Sequence, residues 1–322
     1  MHRMSDVAAA IERAIEGLVD AVAGVAPGWL LLGVALHLAN QVARGRGWYA
    51  VVRAASPEGE APRRRDVVAA WVAGAGAGGV VSARGGDAVR VLLLARRMPG
   101  TGCSGALLAG TLVAEAAGEC ALGAAVLSIA LAAGVGPELG PSTASVLFVL
   151  GGLLAAAGVF LLGRRVGGVR RFLTRAGQGC VALRDPRAYA RDVLPWQLAS
   201  RVLRLAALAS FLAAFGLPAT PAAVLVVVFA QTSGRLVPFS PAAVGAGAAI
   251  LAATFEPITG RAVPPAQIAA FFMGTSAVLT VAGTAISLAI CLRSATQASA
   301  NARPSVATGR LMRIRAAMVP RP

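Results

Sequence analysis

Five apolar stretches constrain this chain more than any other feature: residues 22–42, 104–133, 143–163, 194–216 and 266–292. Each is close to the roughly 20 residues that a helix needs to cross a hydrocarbon core. Lipid offers no partner to a backbone N–H or C=O, so spans of this kind fold as helices that satisfy their own backbone. Two further apolar regions, 66–97 and 221–256, are cut by "SARGG" and "VPFSP" and are each too long for one straight crossing and too short for two. A soluble domain is about one quarter charged, whereas this chain is 14% charged and 57% hydrophobic. The expected fold is an all-α polytopic membrane protein, multi-pass in the cell membrane.

The basic residues indicate how the segments thread. All 30 are arginine, a usage that fits a GC-rich bacterial genome. Arginine concentrates on the cytoplasmic side of short loops. Segment 44–65 carries six arginines, 164–191 eight and 293–322 six, so all three are expected inside, the last as a disordered basic tail. Segments 134–142 and 217–220 carry none and are expected outside, along with the stretch around 257–264. In a soluble protein a net charge of +16 would point to nucleic acid, but here the arginines lie between apolar runs and set topology, so no nucleic-acid partner is expected. The four cysteines are scattered without C-x-x-C spacing, which indicates neither disulfides nor zinc. The amino-terminal 22 residues contain acids and no small-residue cleavage site, and are not expected to be a cleaved signal.

If 66–82 crossed the membrane fully, Arg84, Arg90, Arg96 and Arg97 would face outward, against the arginine bias. A re-entrant hairpin over 66–97, entering and leaving on the inside, removes that conflict. The same rule makes 221–256 a hairpin entering from outside. The two halves then mirror each other as an inverted-topology repeat with 143–163 as connector. Paired Gly/Pro-interrupted segments in such a repeat point to a transport site.

Glu115 and Glu119 lie one turn apart on one face of an apolar helix. A charge at the bilayer centre costs roughly 2.5–3.5 kcal/mol on insertion scales, so such residues face a bundle interior or a cavity. They either serve function or pair with buried arginines to fix packing. Arg84, Asp87 and Arg90 sit at the first hairpin tip, where guanidinium forks match phosphate oxygens; the alternative is a local Asp87–Arg90 pair at i, i+3. Arg235 lies at the second break, far from any interface in the hairpin arrangement. Arg201 and Arg204 are expected to snorkel to the inner interface. His37, Asn40 and Gln41 form a polar face suited to interhelical hydrogen bonding. Gly110, Ala114 and Gly118 form a small-residue ridge for close helix contact. No hydrolase, zinc-protease or P-loop signature occurs, so neither a catalytic residue nor a cofactor or metal is expected.

The segments "VVSARGGDAVR" (Val80–Arg90), "EAAGE" (Glu115–Glu119) and "VPFSPAAVGAG" (Val237–Gly247) resemble, in order and spacing, motifs of the flippase-like domain family, the transmembrane region of lysylphosphatidylglycerol synthases. The similarity runs from about Trp29 to Leu292. Ser82 stands where the first motif has proline, Ala116 where the second has arginine, and Ala242 and Ala243 where the third has paired glycines. The resemblance therefore implies a divergent member, with no soluble aminoacyltransferase domain and no lipid aminoacylation expected from this chain. It implies a translocator of phospholipid or of a polyprenyl-linked anionic headgroup. Arg84, Asp87, Arg90, Glu115, Glu119 and Arg235 are its candidate substrate contacts. The competing reading is a non-transporting membrane partner that positions a lipid-modifying or glycosyl-transferring enzyme through the arginine-rich 164–191 segment. A membrane-embedded transferase is the third.

Overall fold

A computed structural model describes residues 16, 23–56, 62–80, 83–98, 104–132, 167–234, 251–257 and 259–302. These residues are helical, joined by short turns, with no strand among them. The helices are α1 (Pro27–Ala55), α2 (Arg64–Val80), α3 (Ala83–Arg97), α4 (Gly105–Ala132), α5 (Gly167–Gly179), a 3₁₀ turn (Cys180–Arg184), α6 (Pro186–Asp192), α7 (Leu194–Ala214), α8 (Pro221–Gly234) and α9 (Pro265–Ala302). Residues 251–257 are also helical. Among the described residues, three stretches are long and apolar enough to cross a membrane: Gly105–Gly123, Leu194–Ala214 and Pro265–Arg293. The protein is an all-α membrane protein. The expected span 143–163, the break within 221–256 and the tail beyond Ala302 lie outside the described residues.

Three segments differ from the sequence expectation. The first helix starts at Pro27, which suits a first helical turn because its missing N–H would have no partner there. It does not end at Val42 but continues through Arg44 and Arg46 to Ala55. Those two arginines, counted above as part of a cytoplasmic connector, are thus drawn into the bundle. The 164–191 segment is not an open loop but folds as α5, the 3₁₀ turn and α6. Finally, α9 continues to Ala302, into the segment expected to begin the disordered tail at 293.

α1 and α7 run antiparallel along most of their length. The Ala26 N–H donates to the Ala214 carbonyl at 2.8 Å at one end. Gly33 abuts the Phe211 ring, and at the other end the Arg46 guanidinium lies 4.8 Å from the Trp196 ring centroid. Gly216, at φ +67°, ends the α7 hydrogen-bonding pattern and lets the chain turn into α8. An apolar core of Leu208, Phe211, Leu212, Phe215, Val227, Phe255 and Phe271 fills this end of the bundle. A second core, built on Trp48, Trp71, Leu94 and Leu108, fills the other.

α2 and α3 form an antiparallel helical hairpin, and the repetitive "GAGAGG" of α2 explains how it packs. Residues four apart share a helix face and residues two apart do not. Gly74 and Gly78 accordingly face Gly86 and Arg90 of α3, while Gly76 faces Gly283 of α9. The hairpin is thus clamped on two sides by backbone-to-backbone contact. The Ser287 hydroxyl of α9 adds a hydrogen bond to the Ala73 carbonyl at 2.8 Å. At the open end, Arg97 and Asp66 pair at 2.9 Å.

α5 lies against the start of α4, where Gly110 meets Ala176 and Gly179 meets Leu107 and Thr111. The expected small-residue ridge is therefore a contact surface: Gly110 admits α5, Ala114 is fully buried, and Gly118 meets Tyr189 and Gln197. Asp185 caps α6 by accepting from the N–H groups of Arg187 and Ala188, both at 3.0 Å. Loss of such a cap costs about 1 kcal/mol. Asp185→Ala is expected to lower the unfolding free energy by about that amount, and thermal melts in detergent against the parent chain would check it. An unchanged midpoint would mean that α6 is held by packing alone.

Candidate functional site

The polar residues of α1 repeat at helical spacing, so His37, Gln41, Arg44 and Trp48 share one face of the helix. That face looks onto α2 and α4. The Trp71 indole N–H of α2 donates to Gln41 Oε1 at 3.2 Å, and Gln41 Nε2 in turn donates to His37 at 3.2 Å. The Trp48 indole donates to the Thr111 hydroxyl at 2.9 Å, and that hydroxyl in turn donates to the Leu108 carbonyl at 2.7 Å. Buried polar groups are costly unless paired, and each of these is paired. Interhelical hydrogen bonding, expected for the 37–41 face, is what Gln41 does. Asn40 is buried on the same helix.

Glu115 is buried, with 5% of its side chain exposed. Its partner is Arg44, whose Nη2 and Nε reach Oε1 at 2.8 and 3.3 Å. Arg90 does not pair with it. Arg84 opens α3 at a position whose side chain is outside the described residues, as is the whole of Arg235. Arg90 pairs instead with Asp87 at 2.6 Å, the local i, i+3 arrangement. The two arginines nevertheless share a neighbour. The Arg90 guanidinium carbon lies 3.9 Å from the Trp71 ring centroid and that of Arg44 lies 5.0 Å from it. Cation–π contact of this kind is worth about 0.5–2 kcal/mol, and it brings two like charges to one ring because each has its own carboxylate.

Glu119, one turn along α4, pairs with Arg201 of α7: Nη2 donates to Oε2 at 3.1 Å and to the Glu119 carbonyl at 3.0 Å. Arg201 therefore does not snorkel to an interface as expected. Arg204 likewise turns inward and donates to Gln231 of α8 at 3.3 Å. Gln197, buried on the same face of α7, donates to the Glu115 carbonyl at 3.2 Å and to the Tyr189 hydroxyl at 3.0 Å. Burial raises the Tyr189 phenol above its ordinary pKa, so it stays protonated near neutrality. Gly118 and Gly123 of α4 leave the room through which these side chains reach the α4 backbone.

The result is a string of three ion pairs, Arg44–Glu115 and Arg201–Glu119 within the helical bundle and Arg90–Asp87 at its edge, where Asp87 is half exposed. It brings together four of the expected residues, Asp87, Arg90, Glu115 and Glu119, through two arginines that were not on that list. Arg44 was legible in principle, since it continues the 37/41 spacing by one turn. Arg201 was conspicuous as a cation within the apolar α7, but nothing in the sequence told it from Arg204 as the partner of Glu119. Chemically, the string can hold a charged or polar group at a depth where lipid would reject it.

No curated protein and no solved structure matches the chain. The family model described as the lysylphosphatidylglycerol synthase TM region does match, over residues 7–287 of the 322. That match takes in the glycine hairpin and all three ion pairs. The chain is a member of the lysylphosphatidylglycerol synthase transmembrane-region family, membrane proteins related to the handling of lipid headgroups.

Proposed function

We propose that this chain translocates a phospholipid or a polyprenyl-linked lipid across the cell membrane. It does so as a multi-pass inverted repeat in which α2 and α3 form a re-entrant hairpin. The observation that carries the reading is Arg90: a guanidinium with 14% of its side chain exposed, held on Trp71 by a hairpin whose helices meet through glycine. An arginine placed at membrane depth is expensive and marks a substrate path by default. Its planar fork suits a phosphate oxygen pair. Arg44 and Glu115 neutralise each other beside it, and Asp87 holds Arg90 through Nη1 while its Nε has no partner, so part of the fork is left for a phosphate. The reading assigns the chain no chemical step.

Reconstitution tests it. In liposomes carrying headgroup-labelled phospholipid, the parent chain is expected to move label between leaflets, and Arg90→Gln to slow that movement at least tenfold at equal protein content. Movement no faster than in protein-free liposomes, across anionic and zwitterionic labels, would sink the translocator reading. Threading has its own check. Single cysteines at Arg64 and Arg96, both exposed and flanking the hairpin, are expected to label from one side of the membrane only. Labelling from opposite sides would make α2–α3 a crossing and remove the repeat.

A second reading has one observation in its favour. Arg171, Arg175, Arg184, Arg187 and Arg191 are all exposed on the α5–α6 segment, a basic surface on which a lipid-modifying enzyme could dock. If no lipid moves, this partner role is the better account.

A further inference from the structure

α4 and α7 run parallel and in step. Gln197 donates to the Glu115 carbonyl and Arg201 to that of Glu119, so each residue of α4 is level with the residue of α7 that lies 82 positions later. Thr111 is thereby level with Val193, and α5, which packs on Leu107, Gly110 and Thr111, stands beside α6 at the foot of the two spans. Arg191 lies three residues and Arg187 seven residues before Leu194, where the apolar span of α7 opens. Seven helical residues rise about 10 Å, which is about one Debye length in 0.1 M salt. Connection to α7 and packing on α4 thus both fix the α5–α6 segment at the membrane boundary.

Between residues 171 and 192 the exposed charges are unequal: Arg171, Arg175, Arg184, Arg187 and Arg191 against Asp185 and Asp192. Both acids are already engaged, Asp185 as the cap of α6 and Asp192 with Arg191 at 2.8 and 3.0 Å. Arg171 and Arg175 are one turn apart on α5, as are Arg187 and Arg191 on α6, so each helix turns one basic stripe outward. Set among these arginines are two uncovered apolar side chains, Phe172 at 48% exposed and Leu183 at 41%. Phe172 lies one turn before Ala176, on the face of α5 that meets Gly110, so the apolar face of α5 runs a turn beyond what α4 covers. A polyanion in solution would complement the arginines and leave both apolar groups in water. The boundary of a bilayer complements both at once, with phosphate for the guanidinium and acyl chain for the ring.

We propose that α5, the 3₁₀ turn and α6 form an anionic-lipid collar at the start of α7. The five arginines hold the phosphates of phospholipids that carry net negative charge, and Phe172 and Leu183 enter the acyl boundary beside them. The collar takes up the surface that a partner enzyme would otherwise use, and it does not depend on whether the chain moves lipid.

The test is lipid retention. The full chain is reconstituted in vesicles of nine parts phosphatidylcholine to one part phosphatidylglycerol and extracted into mild detergent, and the lipid it retains is measured by mass spectrometry. In 0.1 M salt the parent chain is expected to retain phosphatidylglycerol enriched about threefold or more over its share of the vesicle. In 1 M salt, where the Debye length shrinks to about 3 Å, the enrichment is expected to fall toward that share. Arg175→Gln, Arg184→Gln and Arg187→Gln combined are expected to abolish it. Arg63→Gln, Arg64→Gln and Arg65→Gln combined remove the same charge from another exposed cluster and are expected to leave it intact. Equal loss in the two triple variants would mean that net charge alone attracts the lipid, and would overturn the collar. Phe172→Ser with Leu183→Ser keeps every arginine and is expected to cut the enrichment by about half or more; enrichment unchanged in that pair would overturn the collar as well. Should the Arg175, Arg184 and Arg187 variant fail to fold, the salt series on the parent and the serine pair decide. No enrichment on the parent sinks the proposal, and tight binding of a polyglutamate peptide in that case would give the surface to an acidic protein.

Discussion

Replacing Glu115 with leucine is expected to cost about 3–5 kcal/mol of stability, because it strands Arg44 in the bundle with no counter-charge. Glu115 is 4% exposed and receives two hydrogen bonds from that one guanidinium. Breaking one half of a buried pair leaves the other half desolvated and unpaid, whereas replacing both halves with apolar side chains is often neutral. Arg44→Leu combined with Glu115→Leu is therefore expected to recover most of the loss. It would not recover all of it, since the Arg44 contact with Trp71 goes too. Thermal unfolding of the two single variants and the double in detergent gives the coupling energy directly. If the losses simply add, the pair contributes nothing to the fold. Glu115→Gln separates fold from transport: it keeps the side chain's size, so lipid movement falling at near-parental stability would mean that Glu115 also meets substrate.

The second large effect is expected at Gly76. A side chain there would run into the Gly283 carbonyl and the Ser287 hydroxyl, and backbone cannot move aside as a flexible side chain can. Overpacking a tight contact costs about 1–3 kcal/mol and occasionally more. Gly76→Val should sit at the top of that range, about 3 kcal/mol, because it also parts the Ser287–Ala73 hydrogen bond. Gly177 is the control. Nothing lies within 4 Å of a Cβ added there, so Gly177→Ala is expected to gain up to about 1 kcal/mol from helix propensity. Melting midpoints that move in opposite directions for the two variants would support the clamp between α2 and α9. A Gly76→Val protein as stable as its parent would mean that the two helices are not pressed together.

The sequence by itself determined that this is a helical membrane protein, and its family, for a physical reason: lipid accepts only long apolar segments that satisfy their own backbone. Run length and arginine bias carry that information locally, residue by residue. It also singled out Glu115 and Glu119, because a carboxylate in an apolar run is conspicuous wherever it lies; the break expected at "SARGG" falls earlier, since α2 ends at Val80 and α3 already begins at Ala83 within that stretch. Helix ends were less legible. Arginine looks like a loop residue in a hydropathy profile, and only a partner at depth keeps Arg44 and Arg46 inside α1. The tertiary structure alone decided who pairs with whom. An arginine's partner depends on which helices lie side by side: α1 against α4 sends Arg44 to Glu115, and α4 against α7 sends Arg201 to Glu119. Those residues are separated by 71 and 82 positions in the chain, and no local pattern spans such distances. The glycines of α2 show the division at its sharpest. Their spacing says that two faces are bare, and only the packed bundle says that one face is for α3 and the other for α9.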